Sequence, residues 1–156
     1  MVKIDGLGQP GREETDRTRP GVRRRGWYES GVPSVDVVDE TFVAVPPAVL
    51  AAEFATPARW RALWPDLDLE VMTDRGAAGF RWTVTGALVG SMEVWLEPVL
   101  DGTVLHYFLR AEPPGPRTAR WGAAEARRRQ RAAKAVAFAC KERLEAGRAA
   151  GEPPAR

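Results

Sequence analysis

The chain has one cysteine, Cys140, and one histidine, His106, among 156 residues. A single thiol closes no disulfide within the chain. One thiol with one imidazole cannot assemble a structural zinc site from its usual ligands. No apolar run approaches the length of a membrane span. The opening residues, MVKIDGLGQPGREETDRTRPG, lack the apolar stretch of a secretory signal, so a cytoplasmic location is expected. No phosphate-cradling loop is present either, because GLGQPG at 6–11 follows no strand and has a proline inside it. No paired carboxylates stand out: Glu93 and Glu97 share one strand face and read as solvated. Lysine is scarce beside arginine while Ala, Gly and Pro are frequent, a bias that a GC-rich genome explains as readily as a need for guanidinium groups.

What is present is ordinary for a globular protein. Charged residues make up 28% and hydrophobic residues 44%, and the length suits one domain with one core. The net charge of +2 conceals an uneven distribution, with arginine concentrated in the first thirty residues and in 117–134. Residues 1–33 mix Gly, Pro and charge without periodicity and read as a flexible basic tail. In it Arg17, Arg19, Arg23, Arg24 and Arg25 precede Trp27 and Tyr28. Such a tail either keeps the protein soluble or anchors it on RNA, a ribosome or an anionic membrane surface. A single domain is expected over 34–147, followed by a second flexible tail, 148–156.

Within that domain the β-branched, partly alternating run VDVVDETFVAV predicts a first strand ending near Val45. Pro46 and Pro47 stop it, and AVLAAEFA then reads as a short helix turning Val49, Leu50 and Phe54 inward. Thr56 before Pro57 predicts the cap of a second short helix, which places Trp60, Leu63 and Trp64 on one side and ends at Pro65. Four strand-like segments follow: LDLEVMTD, GFRWTVTG, ALVGSMEVWLEPV and TVLHYFLRAEP. The short turns between them imply an antiparallel meander, and Asp101-Gly102 is the strongest turn signal. A long helix over roughly 118–147 closes the pattern, with Thr118 as its cap and Gly147 at its end. One of its faces carries Ala133, Val136, Ala137, Cys140 and Leu144, and these small side chains leave room against the sheet.

Several of these segments carry a resemblance. VAVPP followed by PARWRALWP, then GFRWTVTG, then ALVGSMEVWLEPVLDGTVLHYFL, resemble in order and spacing the helix-grip fold of the START-like superfamily, also called SRPBCC. Glu97-Pro98 and Asp101-Gly102-Thr103 match its late hairpin. The likeness spans about residues 35–147 and looks closest to an actinobacterial branch, the polyketide cyclase/dehydrase and lipid transport proteins, with coenzyme Q-binding proteins as relatives. It implies an α+β fold in which an antiparallel sheet wraps a long C-terminal helix, with two short helices after the first strand. One departure is plain: five strands are predicted where the full fold has six or seven, which implies a smaller or more open cavity.

The resemblance also implies a function: holding a small hydrophobic ligand, such as a lipid, quinone or polyketide-like molecule, between sheet and helix without a cofactor. Phe54, Trp60, Trp64, Phe80, Trp82, Met92, Val94, Tyr107, Val136 and Cys140 are its expected lining, although the same side chains would equally fill a core. Trp60 and Trp64 are expected to close the mouth. Phe80, Trp82 and Val84 are expected to face inward, whereas either face of the last strand remains open to the interior. Pockets of this kind carry a few placed polar groups, and the candidates are Arg81, Tyr107 and His106, although Arg81 reads first as a solvent-facing strand residue. Were the chain an aromatase/cyclase, Arg81 would stabilise an enolate beside Tyr107, since a guanidinium stays protonated. That reading requires at least two of the three to converge inside. His106 reads first as a hydrogen-bonded structural residue, and Cys140 as a small core hydrophobe. The run Arg127, Arg128, Arg129, Arg131 and Lys134 reads as a solvated surface or, with the tail, a basic patch for nucleic acid or a ribosome.

Overall fold

A computed structural model of the chain describes residues 31–148, 151 and 152. The arginine-rich stretch from Arg17 to Tyr28 lies outside the described residues. The elements run β1 (Val35–Val43), α1 (Pro47–Ala51) with a 3-10 turn over Ala52–Phe54, and α2 (Pro57–Leu63). β2 (Leu67–Asp74), β3 (Gly79–Gly86), β4 (Val89–Val99), β5 (Gly102–Glu112) and α3 (Ala119–Glu145) follow. All five strands pair antiparallel in the order β1-β5-β4-β3-β2, a meander whose last strand also receives the first.

Local chemistry accounts for the boundaries. β1 ends two residues before the expected Val45, where Val45 N–H already turns back to the Val43 carbonyl at 2.9 Å. Pro47 opens α1, and Pro57 opens α2 behind Thr56, whose hydroxyl accepts from Arg59 N–H at 3.4 Å. Thr118 caps α3 in the same way through Trp121 N–H at 3.2 Å. At its far end Ala146 and Gly147 both take positive φ, the left-handed exit common after helices.

The β4–β5 hairpin differs by one residue from the Asp101-Gly102 turn expected from sequence. Val99 pairs with Gly102, so Leu100 and Asp101 form the turn. Gly102 is needed for space instead, because a Cβ there would meet the Phe42 ring and the Val43 carbonyl oxygen, each at 2.5 Å. Leu100 takes φ 52° with its side chain fully in solvent. A left-handed leucine is strained by roughly 1 kcal/mol. Leu100→Gly is therefore expected to raise stability by about 0.5–1 kcal/mol in urea unfolding. An unchanged or lower midpoint would show that the turn carries no strain.

The sheet's inner face holds Val35, Val37, Phe80, Trp82, Val84, Met92, Val94, Leu96, Leu105, Tyr107 and Leu109, all buried. α3 lies mainly along β1, while α1 and α2 close over the β2–β4 side. α3 also shields the β1 edge. Lys134 Nζ and Lys141 Nζ, two turns apart on the helix, donate to the Glu40 and Phe42 carbonyls at 3.0 and 3.2 Å. Pairing with β5 leaves those carbonyls open, and lysines on them discourage a further strand. At the opposite edge a bulge between Val71 and Thr73 interrupts the β2 ladder.

Candidate functional site

The interior gathers the aromatic residues expected there. Trp64, from the end of α2, stacks on Tyr107 of β5 with centroids 6.1 Å apart and on Phe54 at 6.3 Å. It also tilts onto Trp82 of β3 at 6.1 Å. Trp82 in turn meets Trp60 edge-on at 5.6 Å and stacks with Phe80 at 5.6 Å. Trp60 Nε1–H donates to the Phe54 carbonyl at 2.6 Å, which ties α2 to the turn before it. These six rings belong to one contiguous cluster with Met92, Val94, Ala133 and Cys140, and Val136 packs against its margin.

The room opposite the small face of α3 is taken by side chains. Phe54, Trp82 and Val94 are fully buried, and Trp60, the most accessible of the six rings, is only 8% exposed. The expected lining residues are thus together but closed upon one another. Among the described residues, two buried side-chain polar atoms are left without a partner: Nε1 of Trp64 and Nε1 of Trp82. A buried donor with no acceptor costs roughly 1–3 kcal/mol. Burial pushes the Tyr107 phenol well above its ordinary range, so it stays protonated. Burial, and then the charge of Glu53, likewise raise the Cys140 thiol and keep it neutral.

A charged latch fastens α3 across the chain that leaves α2. Arg129, whose side chain is only 3% exposed, gives both terminal nitrogens to Asp66 at 2.9 and 2.6 Å and its Nε to Glu125 at 2.8 Å. Arg128 adds bonds to the same two carboxylates. Burial alone would raise the Asp66 carboxyl, but the bonds and charges of Arg129 and Arg128 hold it below its ordinary value. For Glu125 the Arg128 bond lowers most, and with Arg129 it outweighs burial. This corrects the reading of 127–134 as one solvated basic run, since Arg128 and Arg129 are neutralised within the fold and Lys134 pairs with the buried Asp39 at 2.9 Å. The signal for Arg129 was its position, four residues before Ala133 on the buried helix face. A second ion cluster joins Glu53 to Arg59 at 2.5 Å and to Arg143, linking the short helices to α3. Arg148 reaches back to the Ala44 carbonyl at 2.7 Å and to Asp101, so the expected second tail begins with an anchored residue.

The three polar candidates do not converge. Register places Tyr107 inside, with Arg81 and His106 on the outer face. The arrangement required for a cyclase, two of these groups in one cavity, is absent. His106 instead lies between Glu40 and Glu97, with Nδ1 3.1 Å and Nε2 2.9 Å from their carboxylate oxygens. Its ring stacks on Trp95 at 4.4 Å. Both nitrogens donate at once only in the imidazolium form. Among the described residues, no group of three or more His, Cys, Asp or Glu side chains is placed to hold a metal ion. Nor is any described helix long and apolar enough to cross a membrane.

No protein-family model and no curated protein matches this sequence. Solved structures share its architecture. A crystal structure of a Deinococcus radiodurans protein superposes with a TM-score of 0.55 at 15% identity, covering 72% of this chain and 99% of that one. The solution structure of the Aha1 dimer from Colwellia psychrerythraea gives 0.52 at 13% identity, over 74% and 99% of the two chains. The Zhui aromatase/cyclase from Streptomyces sp. R1128, at 0.44 and 18% identity over 74% and 97%, is too loose a match to bear on chemistry. The chain therefore has a helix-grip fold, a five-stranded antiparallel sheet with a long C-terminal helix and two short helices after the first strand. At these identities the likeness shows the fold alone.

Proposed function

We propose that this chain binds a small, largely apolar molecule carrying a carbonyl oxygen, held between the sheet and its helices without chemical turnover. The observation that carries the reading is the pair of unpartnered indole N–H groups, Trp64 Nε1 and Trp82 Nε1, inside an otherwise apolar aromatic cluster. One acceptor oxygen between them would satisfy donors that the closed protein leaves bare. Quinones, polyketide-like ketones and acyl lipids all offer such an oxygen.

The rings fill the interior in the closed form, so entry requires α1 and α2 to move outward with Trp60 and Trp64. The short helices suit that role. They are five and seven residues long, and an ion pair ties them to α3, from Arg143 to the buried Glu53 that Arg59 of α2 also holds. Local opening of this kind is characteristic of weakly held segments. Without convergent acid, base or nucleophile inside, binding alone is the economical reading.

Titrating the protein with 2-acetylnaphthalene and with 2-isopropenylnaphthalene tests this, since the two differ by C=O against C=CH2. Tryptophan fluorescence reports occupancy. The ketone is expected to bind at least about tenfold more tightly, the value of one hydrogen bond of roughly 1.4 kcal/mol. Trp82→Phe should erase most of that preference. Equal affinities for the two probes, or uptake of neither, would sink the proposal.

A further inference from the structure

We infer that the outer face of the sheet carries a second, independent site: a groove for a flat aromatic monoanion, of which an aryl carboxylate is the simplest case. The groove has a volume of about 400 Å3 and is lined by Arg81, Ser91, Glu93, Trp95, Phe108 and Arg110. All six project from the face opposite the tryptophan cluster, on the three central strands. A space of this size accommodates one or two fused rings.

Its floor is aromatic and rigidly held. Trp95 is 39% exposed, and its ring is braced at 4.4 Å by His106, which lies nearly parallel to Phe108 as well. His106 cannot turn freely, because a carboxylate engages each of its nitrogens. The open side of Trp95 therefore offers a fixed plane on which another ring can stack.

Charge selects the head group. Arg110 stands directly opposite Ser91, and Arg81 directly opposite Glu93, one step along the same strand. Arg81 reaches Glu93 only at 3.9 Å and Arg110 reaches Asp36 only at 3.5 Å, both through Nε. Neither guanidinium donates a hydrogen bond to a described residue, in contrast to Arg129, all three of whose nitrogens donate. Glu93 is already bonded by Arg75, and Glu40 and Glu97 are occupied by His106. Within the lining, two guanidiniums, those of Arg81 and Arg110, thus face one carboxylate, that of Glu93, which leaves one positive charge beside a ligand. A carboxylate fits the fork of an arginine and can take the Ser91 hydroxyl as a further donor.

The test uses the full chain and 2-naphthoate, with neutral 2-naphthamide as the isostere. Isothermal titration at low ionic strength is combined with amide chemical-shift mapping. The site predicts submillimolar naphthoate binding, with shifts centred on Ser91, Glu93, Trp95, Phe108 and Arg110, and at least about tenfold weaker binding of the amide as read from the shifts of those same residues, whatever the interior takes up. Arg81→Gln/Arg110→Gln and, separately, Trp95→Ala should each weaken naphthoate about tenfold or more. The two arginines are surface residues, and an unchanged thermal melt confirms that the double variant folds. Arg131→Gln, at an exposed position of α3, should leave naphthoate binding unchanged. Equal binding of acid and amide at the groove residues, insensitivity to the arginine double variant, or shifts scattered over Arg120, Arg127 and Arg131 would overturn the inference.

Discussion

Trp64→Ala is expected to destabilise the fold by about 3–5 kcal/mol, the range for deleting a large buried ring. The cost has two parts. One is the lost transfer of the indole from water, and the other is the void left among Phe54, Trp82 and Tyr107, which stack or tilt on it within 6.3 Å. The void cannot collapse easily, because those neighbours sit on three different elements. The 3-10 turn, β3 and β5 would all have to shift inward together. Part of the cost is offset by removing an indole N–H that has no acceptor. Urea unfolding at neutral pH measures the sum. Trp95→Ala is the internal comparison: that ring lies on the outer face, 39% exposed, and should cost only about 1 kcal/mol. A loss below about 1 kcal/mol for Trp64→Ala would mean that its ring is not part of the core.

The second large effect belongs to the latch. Arg129→Ala should cost about 3 kcal/mol, because Asp66 loses its main countercharge and Glu125, which remains largely enclosed, loses one of its two. Asp66 is 40% exposed and regains some water, which keeps the figure at the low end of the range. A double variant, Arg129→Met with Asp66→Leu, should recover much of the loss, since an apolar pair needs no countercharge. The latch also sets an acid limit. Asp66 and Glu125 have folded-state values below their ordinary 3.8 and 4.5. A depressed carboxyl contributes stability that is fully present above its unfolded value and lost as pH falls through the folded one. The gap between wild type and Arg129→Ala should therefore be constant from about pH 5 to 8 and shrink below about pH 4. Urea midpoints of both proteins at pH 7 and pH 3 decide the matter. A gap of equal size at both values would contradict it.

Much of the architecture was legible because its signals are local. Thr56-Pro57 and Thr118 cap the helices that their side chains predict. Alternation in GFRWTVTG correctly turns Phe80, Trp82 and Val84 inward, since charge and bulk separate cleanly onto its two faces. β5 resisted the same treatment. Leu105, Tyr107 and Leu109 oppose Val104, His106, Phe108 and Arg110, and both sets are rich in apolar groups, so periodicity could not choose between them. The hairpin at 100–102 misled for a different reason. Gly102 answers to the Phe42 ring, and Phe42 lies sixty residues earlier in the chain. Arg129 was hidden by its neighbours, because a run of arginines conceals the one member that points inward.

The sequence by itself determined the kind and order of the helices and strands, with most boundaries within about two residues, which faces of β3 and β4 are apolar, and that no intramolecular disulfide can form. These follow from side-chain chemistry within a few residues. Only the tertiary structure decided that β1 pairs with β5, which puts Glu40 beside His106 and sets Tyr107 and His106 on opposite faces. It alone brought Asp66 to Arg129 across sixty-three residues and closed the indole rings of α2 and β3 on one another. Such outcomes depend on which distant surfaces meet, and that depends on register and packing summed over the whole chain. A single-residue slip in β5 would have exchanged its interior with its exterior.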